Sequence, residues 1–269
     1  MIKENFHTHT ARCGHAVGSD EEYVQKAVQA GLTILGFSDH AAYRQPDPGE
    51  RMNIEQVPDY IQSVLALKEK YRDRIEIHLG MEVECYRSEW DTLREYRKNM
   101  EYLILGQHQL DIHGKSCYDL TEPEELEEYT DRIAYACDHA LCDIIAHPDV
   151  CLWSYPVMDE TVTAIAERIA DLSLQYDIPV ELNAGSGVRS GLQQYEDIVR
   201  YPYPTRAFFE VFARKHCKVI LGLDVHEPDL FLTDKYINRC LDVIEGLDIH
   251  LLEHYDLIGE AAKRKRLFQ

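Results

Sequence analysis

The chain has 269 residues, 45% hydrophobic and 28% charged, an ordinary globular composition with material for a sizeable core. Its formal net charge of −20 argues against nucleic acid as a partner, because neutralising backbone phosphates takes a basic face. No run approaches the roughly 20 apolar residues that cross a bilayer, and no apolar stretch follows Lys3 as in a secretory leader. The eight cysteines are scattered without a CxxC pair, which resembles neither a disulfide framework nor a zinc ribbon, so a cytoplasmic protein with reduced thiols is expected.

Short apolar runs alternate with amphipathic stretches from end to end. In chain order, the pattern predicts strands at 6–9, 33–37, 75–83, 102–107, 143–146, 180–182 and 219–223. Between and after them, helices are predicted near 23–30, 57–71, 123–139, 161–176, 204–216 and 234–245. Ser19 with Glu22 makes a capping box ahead of the first of these. Strand–helix repetition without a linker or composition shift reads as one α/β domain, residues 1–269, with a parallel sheet. Seven strands suit a closed barrel, and a barrel gathers functional residues at the C-terminal ends of its strands.

The 13 histidines test that expectation. His7 and His9 stand two apart at the end of the first strand, so both imidazoles share a face and can reach one ion. Asp224 and His226 repeat the spacing after the last strand, in LGLDVHEP. His40 ends the second strand in GFSDH, Glu82 the third in GMEVE, His108 the fourth in ILGQH, and His147 the fifth in IIAHPD; His15 lies in the loop after the first strand. A lone histidine at a strand end is more often a hydrogen-bonded loop residue than a ligand. Nine ligand-type residues at one end of one barrel are another matter. Of the rest, His139 and His216 sit at helix C-termini, where positive charge suits the dipole. His250 and His254 fall in the C-terminal tail, and His78 lies about 13 Å below the end of its strand, among packed groups.

HTHT at His7, His15 six residues after His9, SDH at His40, GMEVE at Glu82, AHPD at His147 and GLDVH at Asp224 and His226 together resemble the PHP (polymerase and histidinol phosphatase) metallohydrolases. The resemblance covers nearly the whole chain. The length and the long insertion between His40 and Glu82 are similar to the stand-alone histidinol-phosphate phosphatase branch. It implies a distorted (β/α)7 barrel with a cluster of two to three divalent metals (Mn, Fe or Zn) at the C-terminal ends of the strands. By that resemblance His7, His9, Glu82 and Asp224 hold one metal. His15, His40 and His226 hold a second, and His108, His147 and Glu82 a third. Glu82, Asp224 and His226 are the implied catalytic residues, and the implied reaction is hydrolysis of L-histidinol phosphate in histidine biosynthesis by a metal-bridging hydroxide. Imidazole plus carboxylate donors suit those metals, and metals about 3.5–4 Å apart can grip both oxygens of an in-line displacement at phosphorus.

A phosphate monoester also needs cationic donors. ELNAGSGVRSG leaves the sixth strand with Arg189 in a Gly/Ser-rich loop, and resembles the family's phosphate-binding segment; the long stretch after it makes Arg200 a second candidate. Tyr43, Arg44 and the Pro/Gly-rich loop 45–51 are expected at the rim, Trp153 beside the pocket, and Cys13 as a packed free thiol. Asp111 or Glu227 would meet a substrate amine. Two rival readings stand: a phosphatase or phosphodiesterase for another small ester or nucleotide, and a metal-binding domain without chemistry. The charge disfavours a nucleic-acid phosphodiesterase, and no missing ligand supports the second.

Overall fold

A computed structural model describes residues 2–45 and 51–267. Strands and helices alternate along the chain. The first, β1 (Glu4–Asn5), is followed by helix α1 (Asp20–Ala30), which starts at the Ser19–Glu22 capping box. Then come β2 (Ile34–Phe37), α2 (Val57–Tyr71), β3 (Glu76–Val83), α3 (Trp90–Asn99), β4 (Tyr102–Leu105), α4 (Pro123–Asp138) and β5 (Ile144–Ile145). The chain continues through α5 (Glu160–Tyr176), β6 (Val180–Asn183), the single turn α6 (Ser186–Arg189) and an antiparallel hairpin, β7 (Gln193–Gln194) with β8 (Val199–Arg200). It ends with α7 (Arg206–Lys215), β9 (Lys218–Gly222), α8 (Lys235–Val243), β10 (His250–Leu251) and α9 (Leu257–Leu267).

Among the described residues, eight strands form one parallel sheet in the order β1-β2-β3-β4-β5-β6-β9-β10. The sheet curls until its ends meet. Thr8 pairs with Val225 in a parallel bridge, through His9 N–H to Val225 O at 3.0 Å and Val225 N–H to His7 O at 3.2 Å. One layer deeper, the buried Asn5 side chain accepts from Leu223 N at 2.8 Å. Seven strands thus form the ring, and β10 is added on the N-terminal half of β9, through His250–Lys218 and Leu251–Val219.

The ring has a filled interior. Tyr102 crosses it, donating its hydroxyl to Phe6 O at 2.8 Å and Phe37 O at 3.0 Å. Gly80 makes room, since a Cβ there would lie 2.3 Å from that ring. Below Tyr102, a small core of Phe6, Ile104, Ile144 and Ile220 is closed by Tyr255, Leu257 and Ala261, so α9 plugs the N-terminal mouth. Asp143 accepts from Arg97 and from Arg264 Nε, tying α3 and α9 to that end; all three are buried. The larger core lies between the outer face of the sheet and the helices. No helix among the described residues is long and apolar enough to cross a membrane.

Three expectations shift. The first ladder forms at Glu4–Asn5 rather than 6–9, because the ligand triplet is drawn inward and keeps only the Thr8 bridge. The helix expected from 204 begins at Arg206, because Thr205 before it is in extended conformation. The tail holding His250 is instead a strand and a helix.

Candidate metal centre

The bridge that closes the barrel also builds the site. Pairing Thr8 with Val225 sets His7-Thr8-His9 beside Asp224-Val225-His226 in register. The side chains that flank this pair meet across the bridge. The rings of His9 and His226 consequently stack with centroids 3.9 Å apart, and His9 Nε2 stands 3.1 Å from Asp224 Oδ1. His40, three residues past β2, forms a lone bridge with Glu82.

Glu82 is the hub. Its Oε1 lies 3.0 Å from His147 Nε2, 3.4 Å from His7 Nε2 and 3.7 Å from His108 Nε2, and its Oε2 lies 2.8 Å from His40 Nδ1 and 3.6 Å from His9 Nε2. A Cβ on Gly106 would fall 1.8 Å from Glu82 Oε1, so a side chain there would displace this carboxylate. Two ligand positions carry positive φ on non-glycine residues, His147 at 26° and Asp224 at 49°, the local strain that functional sites retain.

Four compact three-donor sets emerge from the predicted ligands: His7/His9/Asp224, His7/Glu82/His147, His9/His40/Glu82 and His15/His40/His226. The first contains three of the four residues expected at the first site, without Glu82, and the last has the three residues expected at the second. His108 joins no such set, although its ring lies 4.9 Å from that of His147. All nine predicted residues therefore meet at the C-terminal end of the barrel, with His108 at the margin. His78 stays outside, paired with Glu76 and Glu101, while His139 and His216 cap α4 and α7.

A layer of carboxylates and carbonyls behind the imidazoles was not foreseen. His7 Nδ1 donates to Glu181 at 2.8 Å, and the other oxygen of Glu181 accepts from His147 N at 3.0 Å. His15 Nδ1 donates to Cys13 O at 3.3 Å, and His226 Nδ1 to Asp224 O at 3.1 Å. Asp39 faces His9 Nδ1 at 3.5 Å, and Glu84 faces His108 Nδ1 at 3.3 Å. Such partners fix the tautomer and turn the other nitrogen, with its lone pair, toward an ion.

The electrostatics follow from crowding these groups in a buried space. Burial pushes Glu82 upward, but His40, His108 and His7 outweigh it and hold the carboxyl well below its ordinary value. Asp224 behaves alike, burial being overcome by His7, His9 and His226. Burial lowers His9, yet Asp224, Asp39 and Glu82 raise it to about 9. His40 falls to about 4, because burial, His9 and His108 prevail over Glu82. Ionised carboxylates thus face imidazoles that cannot all be charged at once. His7 Nε2, both nitrogens of His9, His147 Nδ1, His226 Nε2 and Glu82 Oε2 are buried without a hydrogen-bond partner among the described residues. Orphaned nitrogens and oxygens converging around one carboxylate suit divalent cations, which would satisfy them together.

Beside the cluster lies a cavity of about 240 Å³ lined by His15, His40, Arg51, His108, Gln109, Ser116 and Tyr118. Tyr118 stands parallel to His108 at 6.0 Å, with Trp153 packed edge-on behind it at 5.1 Å. Arg51, paired with Glu84, brings a cation to this wall. Of the expected rim, Tyr43 is buried with its hydroxyl on Glu84 O, and Arg44 turns away to Glu95; residues 46–50 of the loop lie outside the described residues. Asp111 and Glu227 are exposed.

The two candidate arginines part company. Arg189, at the end of α6, sends Nη1 and Nη2 to Asp224 O at 3.1 and 3.2 Å, directly behind a ligand. Arg200 is buried, and its Nη1 and Nη2 donate to the carbonyls of Tyr201, Pro202, Leu152 and Tyr155, while Tyr195 covers its face at 3.5 Å. No hydrogen bond or ion pair joins Arg200 to a ligand among the described residues. It organises the hairpin base.

Residues 5–185 match the model of the PHP domain, and the chain belongs to that family. It is 25% identical to a probable histidinol-phosphatase of Deinococcus radiodurans, over 82% of this chain and 85% of that one. It is 26% identical to a probable phosphatase of Clostridium acetobutylicum, over 90% and 86%. Among solved structures, histidinol phosphate phosphatase from Lactococcus lactis, complexed with zinc, L-histidinol and phosphate, superposes with a TM-score of 0.70 at 16% identity, covering 93% of this chain and 95% of that one.

Proposed function

We propose that the whole span 1–269 works as one metal-dependent phosphomonoesterase that hydrolyses L-histidinol phosphate to L-histidinol and phosphate. The observation that carries the reading is Glu82, a buried carboxylate within 3.7 Å of five imidazoles that have too few other partners. The donor sets accommodate two to three divalent ions, and zinc is favoured because the Lactococcus relative binds it. When bound, such ions supply Lewis-acid stabilisation of phosphoryl oxygens and an activated water at neutral pH.

The chain's own residues do the rest. Glu82 and Asp224 supply negative charge that concentrates the cations. Glu181, Asp39 and Glu84 orient His7, His9 and His108. Arg189 fixes the Asp224 peptide with two of its five N–H groups and presents cationic charge to a phosphate. Arg51 brings a second cationic side chain to the wall of the cavity. Trp153 and Tyr118 form an aromatic side suited to a ring-bearing leaving group, and the net charge of −20 favours a cationic one.

The test is phosphate release by the zinc- or manganese-loaded protein from L-histidinol phosphate, run beside sugar phosphates, nucleotides and a diester. Turnover confined to histidinol phosphate is expected. Turnover only on nucleotides or the diester would overturn the substrate while keeping the chemistry, and none at all, with metals bound, would overturn both.

A further inference from the structure

Cys13 has no part in the reaction described so far. It closes the single turn Ala11–Cys13 after the HTHT segment, is 1% exposed, and stands with its Sγ 3.9 Å from His15 Nε2. Two donors on one tetrahedral zinc, sulfur at about 2.3 Å and nitrogen at about 2.05 Å, lie about 3.6 Å apart. The observed separation is close to that of co-ligands. Cys13 Sγ also groups with His9 and His226, all three donor atoms lying within 4.8 Å of one another. No other cysteine among the described residues joins such a set.

The second observation concerns particular nitrogens of two histidines beside the thiol, His9 and His226. Both nitrogens of the fully buried His9 and the Nε2 of His226 make no hydrogen bond among the described residues. The turn is also built to present the pair. Cys13 N donates to Thr10 O at 3.2 Å, Gly14 reverses the chain at φ 87°, and Cys13 O accepts from His15 Nδ1. That last bond leaves the His15 Nε2 lone pair on the side of the sulfur.

We propose that Cys13 supplies a sulfur ligand to the ion held by His15, His40 and His226. The donor set becomes three imidazoles and one thiolate, which selects zinc, cobalt or cadmium over manganese or magnesium. On binding, the S–H proton leaves to solvent and the metal–sulfur bond takes its place. This assignment rests on the cluster being a metal centre and adds a ligand and a metal preference to it.

The experiment is cobalt(II) titration of the metal-stripped full-length protein, followed by absorption, with wild type, Cys13→Ser and Cys151→Ser compared. Wild type and Cys151→Ser are expected to show a thiolate-to-cobalt charge-transfer band in the near ultraviolet that Cys13→Ser lacks, while ligand-field bands persist in all three. Zinc affinity at that site should fall in Cys13→Ser by more than the roughly 10–100-fold that loss of a mere supporting partner brings. Zinc-edge X-ray absorption on wild type needs no variant, and should find a sulfur neighbour at about 2.3 Å. Bound cobalt without the charge-transfer band, or zinc without sulfur, would overturn Cys13 as a ligand and leave the metal centre standing. Failure to bind cobalt or zinc at all would overturn the metal centre and this assignment with it.

Discussion

Replacing Glu82 by Gln tests the hub of the site with the smallest change of shape. The amide occupies the cradle left by Gly106, so the perturbation is one of charge and donor type. The carboxylate belongs to two three-donor sets, His7/Glu82/His147 and His9/His40/Glu82, so both lose their anionic member. At a mean separation near 3.3 Å, each charged imidazole loses an attraction of about 5 kcal/mol at an effective dielectric of 20. The net effect on the metal-free fold is smaller, about 3–5 kcal/mol at most, because imidazoles can shed their protons. Catalysis has no such relief. Forfeiting several kcal/mol of charge stabilisation at the ions corresponds to a loss on the order of 10³-fold in turnover. The assay pairs elemental analysis of bound metal with phosphate release, and circular dichroism verifies the fold. A folded variant with full metal content and turnover within about ten-fold of wild type would refute the reasoning.

Glu181→Gln should lower metal affinity by about 10–100-fold, measured by competition with a chromophoric chelator, because His7 and the His147 peptide lose their common acceptor. Arg189→Ala should raise KM by the equivalent of about 1.5–3 kcal/mol, whereas Arg200→Ala should lower stability by a similar amount and leave KM alone; the opposite pattern would exchange their roles. Stripping the ions with a chelator should lower Tm by roughly 5–10 °C from that at free ion near 100 Kd, and an unchanged scan would mean that no ion binds the native fold. Glu101 provides the pH test. Burial pushes its carboxyl up, but His78, Lys68 and the Leu79 amide outweigh it and hold it at about 2, against an ordinary 4.5. A depressed carboxylate stabilises above the ordinary value and loses that contribution as pH falls toward 2. Since Glu101 is only half buried, the effect is about 1 kcal/mol after solvent screening, and Glu101→Gln should flatten urea-derived stability between pH 4.5 and 2 by that much.

The candidate ligands were legible because local rules govern them. Period-two alternation puts His7 with His9 and Asp224 with His226, and the barrel expectation says which end of each strand to inspect. The supporting layer obeys no local rule. Glu181 reaches His7 across 174 positions of sequence, and in its own strand it is one acidic residue among 48 Asp and Glu. Asp39 and Glu84 each stood beside a recognised ligand, in SDH and EVE, and that adjacency was the available signal. Arg200 illustrates the converse: an arginine in a loop after a candidate strand reads the same whether it faces a phosphate or four carbonyls. The closing elements escaped for a different reason. A two-residue strand has no periodicity, and the helix Leu257–Leu267 carries a glycine and four cations that dilute its apolar face.

The barrel closure and the metal centre rest on the same hydrogen bonds, and this has an energetic consequence. His9 N–H to Val225 O and Val225 N–H to His7 O join the first and last strands of the ring, and they also bring two carboxylates and several imidazoles to one place. Without cations that arrangement opposes closure. Carboxylates held ionised and imidazoles with orphaned nitrogens are buried together, and several of their polar atoms lack the hydrogen-bond partners that burial demands. Asn5 and Tyr102, which tie the same strands one layer deeper through Leu223 N, Phe6 O and Phe37 O, hold the ring shut by bonds independent of the ions. α9 and the Arg97–Asp143–Arg264 group secure the far end. The fold therefore places its own restraints at the N-terminal end and leaves the C-terminal end electrostatically incomplete, which is the condition for an ion to bind there strongly and to stabilise the closed barrel as it does so.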